Sequence, residues 1–96
     1  MSNAHNVEYT DTLGGEANYS WVRRAVVRMP ELTHYGYDGS TNYVRANRIY
    51  QRELVKRAKA AVGLTRWRGR GCWSGEDYEF RPYRAATVMF ISWRDE

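Results

Sequence analysis

Residues 41–64 read TNYVRANRIYQRELVKRAKAAVGL. With successive side chains about 100° apart on a helix, Tyr43, Val44, Tyr50, Leu54, Val55, Ala58, Ala61 and Val62 gather on one side. Arg45, Arg48, Arg52, Lys56 and Lys59 gather on the opposite side at i+3 and i+4 spacings. Two residues cross the pattern: Arg57 falls near the apolar side and Ile49 near the basic one. Ser40, Thr41 or Asn42 can serve as N-cap, since each side-chain oxygen can accept an orphan amide hydrogen bond. Gly63 offers the left-handed residue that ends a helix, and Leu64 comes next, where a Schellman contact sits. The stretch therefore predicts an amphipathic helix over about residues 42–62, with an apolar face and an arginine-rich face.

On either side of this helix the chain reads as strands. Residues 7–12, VEYTDT, carry the β-branched and aromatic types of a short strand. Gly14-Gly15 marks a turn, and residues 18–29, NYSWVRRAVVRM, read as the longest strand. These two form a hairpin, with a connection expected to exceed two residues. Pro30 stops the second strand because it has no N–H for the ladder. Residues 29–40, MPELTHYGYDGS, are turn-rich and read as an exposed loop, in which Tyr35 and Tyr37 point the same way if extended.

After the helix, TRWRGRGCW (65–73) alternates Arg66, Arg68 and Arg70 with Trp67, Gly69 and Gly71, which puts three arginines on one strand face. The glycines suggest a bulge or a close approach by another backbone. Residues 74–77 form an acidic turn, Tyr78 and Phe80 begin a strand cut by Pro82, and ATVMFISW (86–93) reads as a buried central strand. Asp95 and Glu96 close the sequence with charge. The order β-β-α-β-β(-β) predicts a single α+β domain over residues 1–96: an antiparallel sheet of four to five strands, with one amphipathic helix packed on one face.

Composition narrows the function. A chain of 96 residues with 43% hydrophobic and 15% aromatic content is too apolar for disorder and offers little room for a deep cleft. Cys72 is the only cysteine, which excludes an internal disulfide and a multi-cysteine zinc site. Its expected role is that of a small buried hydrophobe. No apolar run is long enough to span a membrane, and no hydrophobic leader opens the sequence, so the expectation is a cytoplasmic protein with no membrane partner. His5 and His34 are the only histidines, with His5 in an expected frayed end. A Cys72–His34 nucleophile pair lacks any supporting motif, and no catalytic, cofactor or metal-ligand spacing is found. The expectation is a protein that is not an enzyme and takes no cofactor.

The net charge is +4, and the basic residues are thirteen arginines and two lysines. Arginine suits bidentate contact with carboxylates and phosphates, although a GC-rich coding sequence gives the same excess. Two acidic partners fit: an acidic protein surface, or nucleic acid whose phosphates meet the helix stripe while Trp67 and Trp73 stack on bases. A solvated helix face and a self-associating sheet edge are the blander readings.

Residues 9–24, YTDTLGGEANYSWVRR, resemble a segment that recurs in small phage and mobile-element proteins. VKRAKAAVGL (55–64) and the arginine-containing strand after it are similar to the later part of such proteins. The resemblance implies a mobile-element setting. Small phage proteins without enzyme motifs are often inhibitors of host defence, including anti-CRISPR proteins that occupy a surface of an effector complex. It thus implies an acidic surface, such as a host CRISPR effector subunit, as the partner in a host cytoplasm. The residues expected to meet that partner are Arg45, Arg48, Arg52, Lys56, Lys59, Arg66, Arg68, Tyr35, Tyr37 and Trp67, because arginine, tyrosine and tryptophan are enriched at interface hot spots.

Overall fold

The computed structural model describes residues 3–95; Met1, Ser2 and Glu96 lie outside the described residues. Five strands, a short 3-10 turn and one helix come in the order β1 (Asn3–Leu13), β2 (Glu16–Met29), the 3-10 turn (Leu32–Tyr35), α1 (Tyr43–Ala61), β3 (Gly69–Ser74), β4 (Asp77–Pro82) and β5 (Thr87–Trp93). The strands form one antiparallel sheet in the spatial order β2-β1-β5-β4-β3. This is the expected α+β architecture. The apolar ATVMFISW stretch occupies the centre of the sheet as β5, which a strand with Val88, Met89 and Ile91 fully buried requires.

Alternation along the strands sets which face the helix covers. Val7 and Tyr9 of β1, Val27 and Met29 of β2, Phe80 of β4, and Met89 and Ile91 of β5 join one buried cluster with the helix. From α1 the cluster takes Tyr50, Leu54 and Ala58, with Val62 and Leu64 just beyond. Together with buried Ala46 these make an i, i+4 row, one ridge of the helix laid on the sheet. Leu54 is 1% exposed, so truncating it to alanine is expected to cost about 2–5 kcal/mol. The apolar face is narrower than expected: Tyr43, Val44 and Ala61 lie off the Ala46–Tyr50–Leu54–Ala58 ridge and are exposed.

The helix stops as its sequence predicts. Gly63 has φ of 85°; its N–H donates to the Ala60 carbonyl at 3.3 Å and the Leu64 N–H donates to the Lys59 carbonyl at 2.7 Å, the paired bonds of a Schellman motif. Its start differs. Asn42 holds the N-cap position without a side-chain cap, because its amide donates to the Gly36 carbonyl and its oxygen accepts from the Asp38 N–H at 3.2 Å. Asn42 thus tethers the preceding loop. Arg57, the cation nearest the apolar side, donates to the Arg28 carbonyl at 3.1 Å and pairs with Glu53 at 3.0 Å, tying the helix to β2.

Several local expectations are corrected. β1 begins at Asn3, so His5 is not frayed; it is 3% exposed and paired across the sheet with Val27 and Trp93. The hairpin connection is only Gly14-Gly15, both at positive φ, as a two-residue turn between twisted strands demands. Residues 65–68 form a turn, with the Trp67 N–H on the Leu64 carbonyl at 3.0 Å, because buried Leu64 pulls the chain into the core before β3 starts. Only Arg70 of the three alternating arginines is therefore on a strand. Residues 32–35 are helical, not extended, and exposed Cys72 faces Glu79 on the side of the sheet away from the helix. The expected close approach at the glycines is present: a Cβ at Gly69 would lie 2.2 Å from the Arg81 carbonyl oxygen, and one at Gly71 would meet the Tyr78 hydroxyl.

Candidate interaction surface

Six cations and one carboxylate, Glu53, sit on α1. The helix alone is thus more positive than the whole chain, whose net charge is +4. Arg45, Arg48, Arg52 and Lys56 are exposed on its outer face, and among the described residues none of them has an ion pair or hydrogen bond. From Arg45 to Lys56 the row runs roughly 16 Å at 1.5 Å per residue. Its placement does not favour the helix. Arg45 lies in the first turn, which holds no acidic residue, where the exposed N–H groups already concentrate positive charge. Two apolar side chains interrupt the row: Ile49, one turn from both Arg45 and Arg52, is 39% exposed, and Val44, one turn from Arg48, is 65% exposed.

Lys59 belongs elsewhere. Its ammonium donates to the Trp67 carbonyl at 2.5 Å and stands 4.6 Å from the centre of the Phe80 ring, so it braces the turn after the helix. Tyr35 is half-buried, edge-on to Tyr50 with centroids 5.9 Å apart, and packs on the core. Tyr37 is half-buried against Tyr43 at 5.7 Å. The two tyrosines do not form one outward patch.

The turn after the helix adds a second basic cluster. Arg66, Trp67 and Arg68 line a shallow cavity of about 470 Å³ with Tyr83 and Arg84 from the β4–β5 connection. A hydrogen bond from the Tyr83 N–H to the Arg68 carbonyl at 3.1 Å holds the two segments together. Trp67 is 43% and Tyr83 73% exposed. Sequence reading alone does not single out Tyr83 and Arg84, which lie beyond the whole β3–β4 hairpin from Arg68 and gain a role only through this pairing.

Around these surfaces several polar groups are engaged in folding. The face of the sheet away from the helix carries Arg24 on Glu8 and Arg81 on Glu79, each at 2.9 Å, and a cavity of about 580 Å³ between β1, β2 and β5. Arg23 donates to the Val62 carbonyl at 3.0 Å and stacks near Tyr9 and Trp21, which fixes the hairpin to the helix end. Asp11 is held at a pKa of about 2, first by the Ser20 hydroxyl and then by Asn18. His34 packs on Tyr35 in the loop before the helix, while Cys72 is on the open face of the sheet; they are not neighbours. Among the described residues, no group of three or more His, Cys, Asp or Glu side chains is placed to hold a metal ion. No described helix is long and apolar enough to cross a membrane.

No family model matches this chain, and no curated protein or solved structure is significantly similar to it.

Proposed function

We propose that this protein is a non-enzymatic binding protein that covers an acidic surface of another protein with the outer face of α1. The observation that carries this reading is the row of four unpartnered cations, Arg45, Arg48, Arg52 and Lys56, with Ile49 and Val44 exposed among them. Apolar side chains inside a basic row suit a protein interface, where they enter the dry centre while the cations meet carboxylates at the rim. They are out of place against a phosphate backbone. The resemblance of residues 9–24 to phage and mobile-element proteins supplies the setting: a cytoplasmic inhibitor of host defence, of anti-CRISPR type, whose partner is a subunit of an effector complex.

The test is a triple variant, Arg45, Arg48 and Arg52 each to Glu, assayed for protection of phage in a host with active CRISPR defence. Loss of protection with an unchanged circular dichroism spectrum and a melting temperature no lower than the parent's is the expected result. Unaltered protection by a folded triple variant removes the helix face from the mechanism.

A second reading rests on the other basic cluster. Arg66, Arg68 and Arg84 beside the exposed rings of Trp67 and Tyr83 combine phosphate pairing with stacking, the two devices that hold single-stranded nucleic acid. A salt titration with arbitrary DNA and RNA decides it. Phosphate binding requires an affinity that falls linearly with salt on a log–log plot, and no binding at low salt excludes it.

A further inference from the structure

A pocket of about 270 Å³ lies on a part of the molecule that the basic surface does not use, where the N-terminal half of α1 meets the ends of β1 and β5 and the β3–β4 turn. Its size suits a small molecule or a single side chain. Four aromatic residues line it, Tyr43, Tyr50, Trp73 and Trp93, together with His5 and Glu76. The rings are braced by their neighbours: Trp93 stands edge-on to His5 at 4.9 Å, Trp73 lies 4.8 Å from Tyr78, and the Tyr50 hydroxyl is 2.6 Å from His5 Nε2. Tyr50 is buried, whereas Tyr43 and Trp93 are about half exposed, so the lining has a closed floor and an open rim.

Charge sets this pocket apart from the cavities beside Arg24 and beside Trp67. Fifteen of the 96 residues are Lys or Arg, yet none lines it, and Glu76 is its one acidic residue. The cavity on the open face of the sheet has Arg24 and Arg94 in its wall, and the one beside Trp67 has three arginines. Burial lowers the pKa of His5, so the floor adds no positive charge of its own. Aromatic walls with a single carboxylate attract a poorly hydrated cation, because the negative ring faces and the carboxylate act together on it.

We propose that this pocket binds a small organic cation of the quaternary or methylated ammonium class, with its charged head among Tyr43, Trp73 and Trp93 and its charge balanced by Glu76. The proposal is independent of the basic face and stands or falls separately from it.

The full chain is titrated with choline and, in parallel, with the neutral isostere in which carbon replaces the quaternary nitrogen, with tryptophan fluorescence and NMR chemical shifts as readouts. Saturable binding of choline is expected, with the largest shifts at Trp73, Trp93 and Tyr43, and with the isostere about tenfold weaker. Glu76→Gln is expected to weaken choline several-fold without disturbing the fold, because Glu76 is an exposed turn residue. Trp93→Leu tests the wall in the same way. Equal affinity for the two ligands would show an apolar pocket with no preference for charge and would overturn the proposal. So would the absence of any saturable change up to high millimolar choline, or a folded Glu76→Gln variant that binds as tightly as the parent.

Discussion

The Asp11 carboxylate accepts two hydrogen bonds from Ser20, one from its backbone N–H at 3.0 Å and one from its hydroxyl at 2.6 Å. This contact closes a large irregularity in the β1–β2 hairpin. Thr10 pairs with Val22 and Thr12 with Ala17, so a single residue of β1 faces residues 18–21 of β2. The extra backbone would leave donors and acceptors unpaired, and side chains supply what the ladder cannot. Thr10 Oγ1 donates to the Trp21 carbonyl at 2.7 Å and accepts from the Tyr19 N–H at 3.1 Å, while Asn18 donates to Asp11 at 2.9 Å. Tyr19 sits at φ of 55°, strained for a residue with a Cβ, and is kept there by these bonds.

The same contact fixes a pH dependence. These donors favour the charged carboxylate and hold Asp11 at about 2, below its ordinary 3.8. A depressed carboxylate pKa stabilises the fold fully above the unfolded value, and that stability is lost as pH falls through the folded value. Between about pH 4 and pH 2 the hairpin tip should therefore loosen. Asp11→Asn puts an amide N–H₂ against the donors of Ser20 and Asn18, so its stability is expected to be lower at neutral pH and flatter across that window. Denaturant melts at neutral pH, at the top of that window and near its bottom, together with amide exchange at Tyr19 and Ser20, check both parts.

This segment also shows where sequence reading reaches and where it ends. Residues 9–24 stand out in the sequence as motif-like, and in the fold most of their polar groups hold the hairpin: Thr10, Asp11, Asn18 and Ser20 at the bulge, Arg23 on the helix end, Arg24 on Glu8. No periodicity announces a four-against-one bulge, because it depends on side chains from one strand replacing ladder bonds of the other. The helix, by contrast, is largely readable, since its ridge, most of its basic row and its Gly63 stop are local patterns. Arg66 and Arg68 mimic a strand by alternating with Trp67 and Gly69, whereas burial of Leu64 decides the local path. The joining of Tyr83 and Arg84 to that turn is a tertiary fact with no local signal.

His5 and Tyr50 form a buried hydrogen-bonded pair. The Tyr50 hydroxyl stands 2.6 Å from His5 Nε2 and donates to it when the imidazole carries its own proton on Nδ1. Tyr50→Phe removes the partner of Nε2 and is expected to destabilise the protein by about 1–3 kcal/mol. Because burial lowers the His5 pKa, the unfolded chain binds the proton more readily. Stability present above the unfolded value, about 6.5, should then decline as pH falls below it. A melting temperature that drops between mildly alkaline and mildly acidic buffer, with the drop reduced in His5→Gln, is the expected outcome.

Gly69 and Gly71 face their partners differently, and this predicts unequal costs. A methyl at Gly69 meets the Arg81 carbonyl oxygen and the Pro82 Cα, both backbone in a paired strand that cannot retreat without breaking the ladder. At Gly71 the obstacle is the end of the Tyr78 side chain, which can swing away. Gly69→Ala is expected to cost about 1–3 kcal/mol, as over-packing does, with Gly71→Ala clearly milder. Urea melts of the two variants measured side by side give the comparison; equal losses would mean that Tyr78 is as fixed as the backbone.

Arg45 offers the sharpest separation of stability from binding. It lies in the first turn of α1, among N–H groups whose partial positive charge disfavours a cation, and the first turn holds no acidic residue to offset it. Asn42, the N-cap, does not relieve those amides, because its side chain is bonded to Gly36 and Asp38. Arg45→Glu replaces an unfavourable charge with a favourable one, so the variant is expected to be more stable by about 0.5–1.5 kcal/mol, roughly twice the effect of a single charge of either sign. A surface selected for solubility alone loses nothing by that change. A surface that pairs Arg45 with a carboxylate of its partner loses the pair and gains a like-charge repulsion, which lowers the association rate and shortens the lifetime of the complex. The expected outcome is one variant with a raised melting temperature and weakened inhibition. If Arg45→Glu is stabilised and inhibits as well as the parent, Arg45 does not touch the partner, and the interface must lie further along the row toward Arg52 and Lys56.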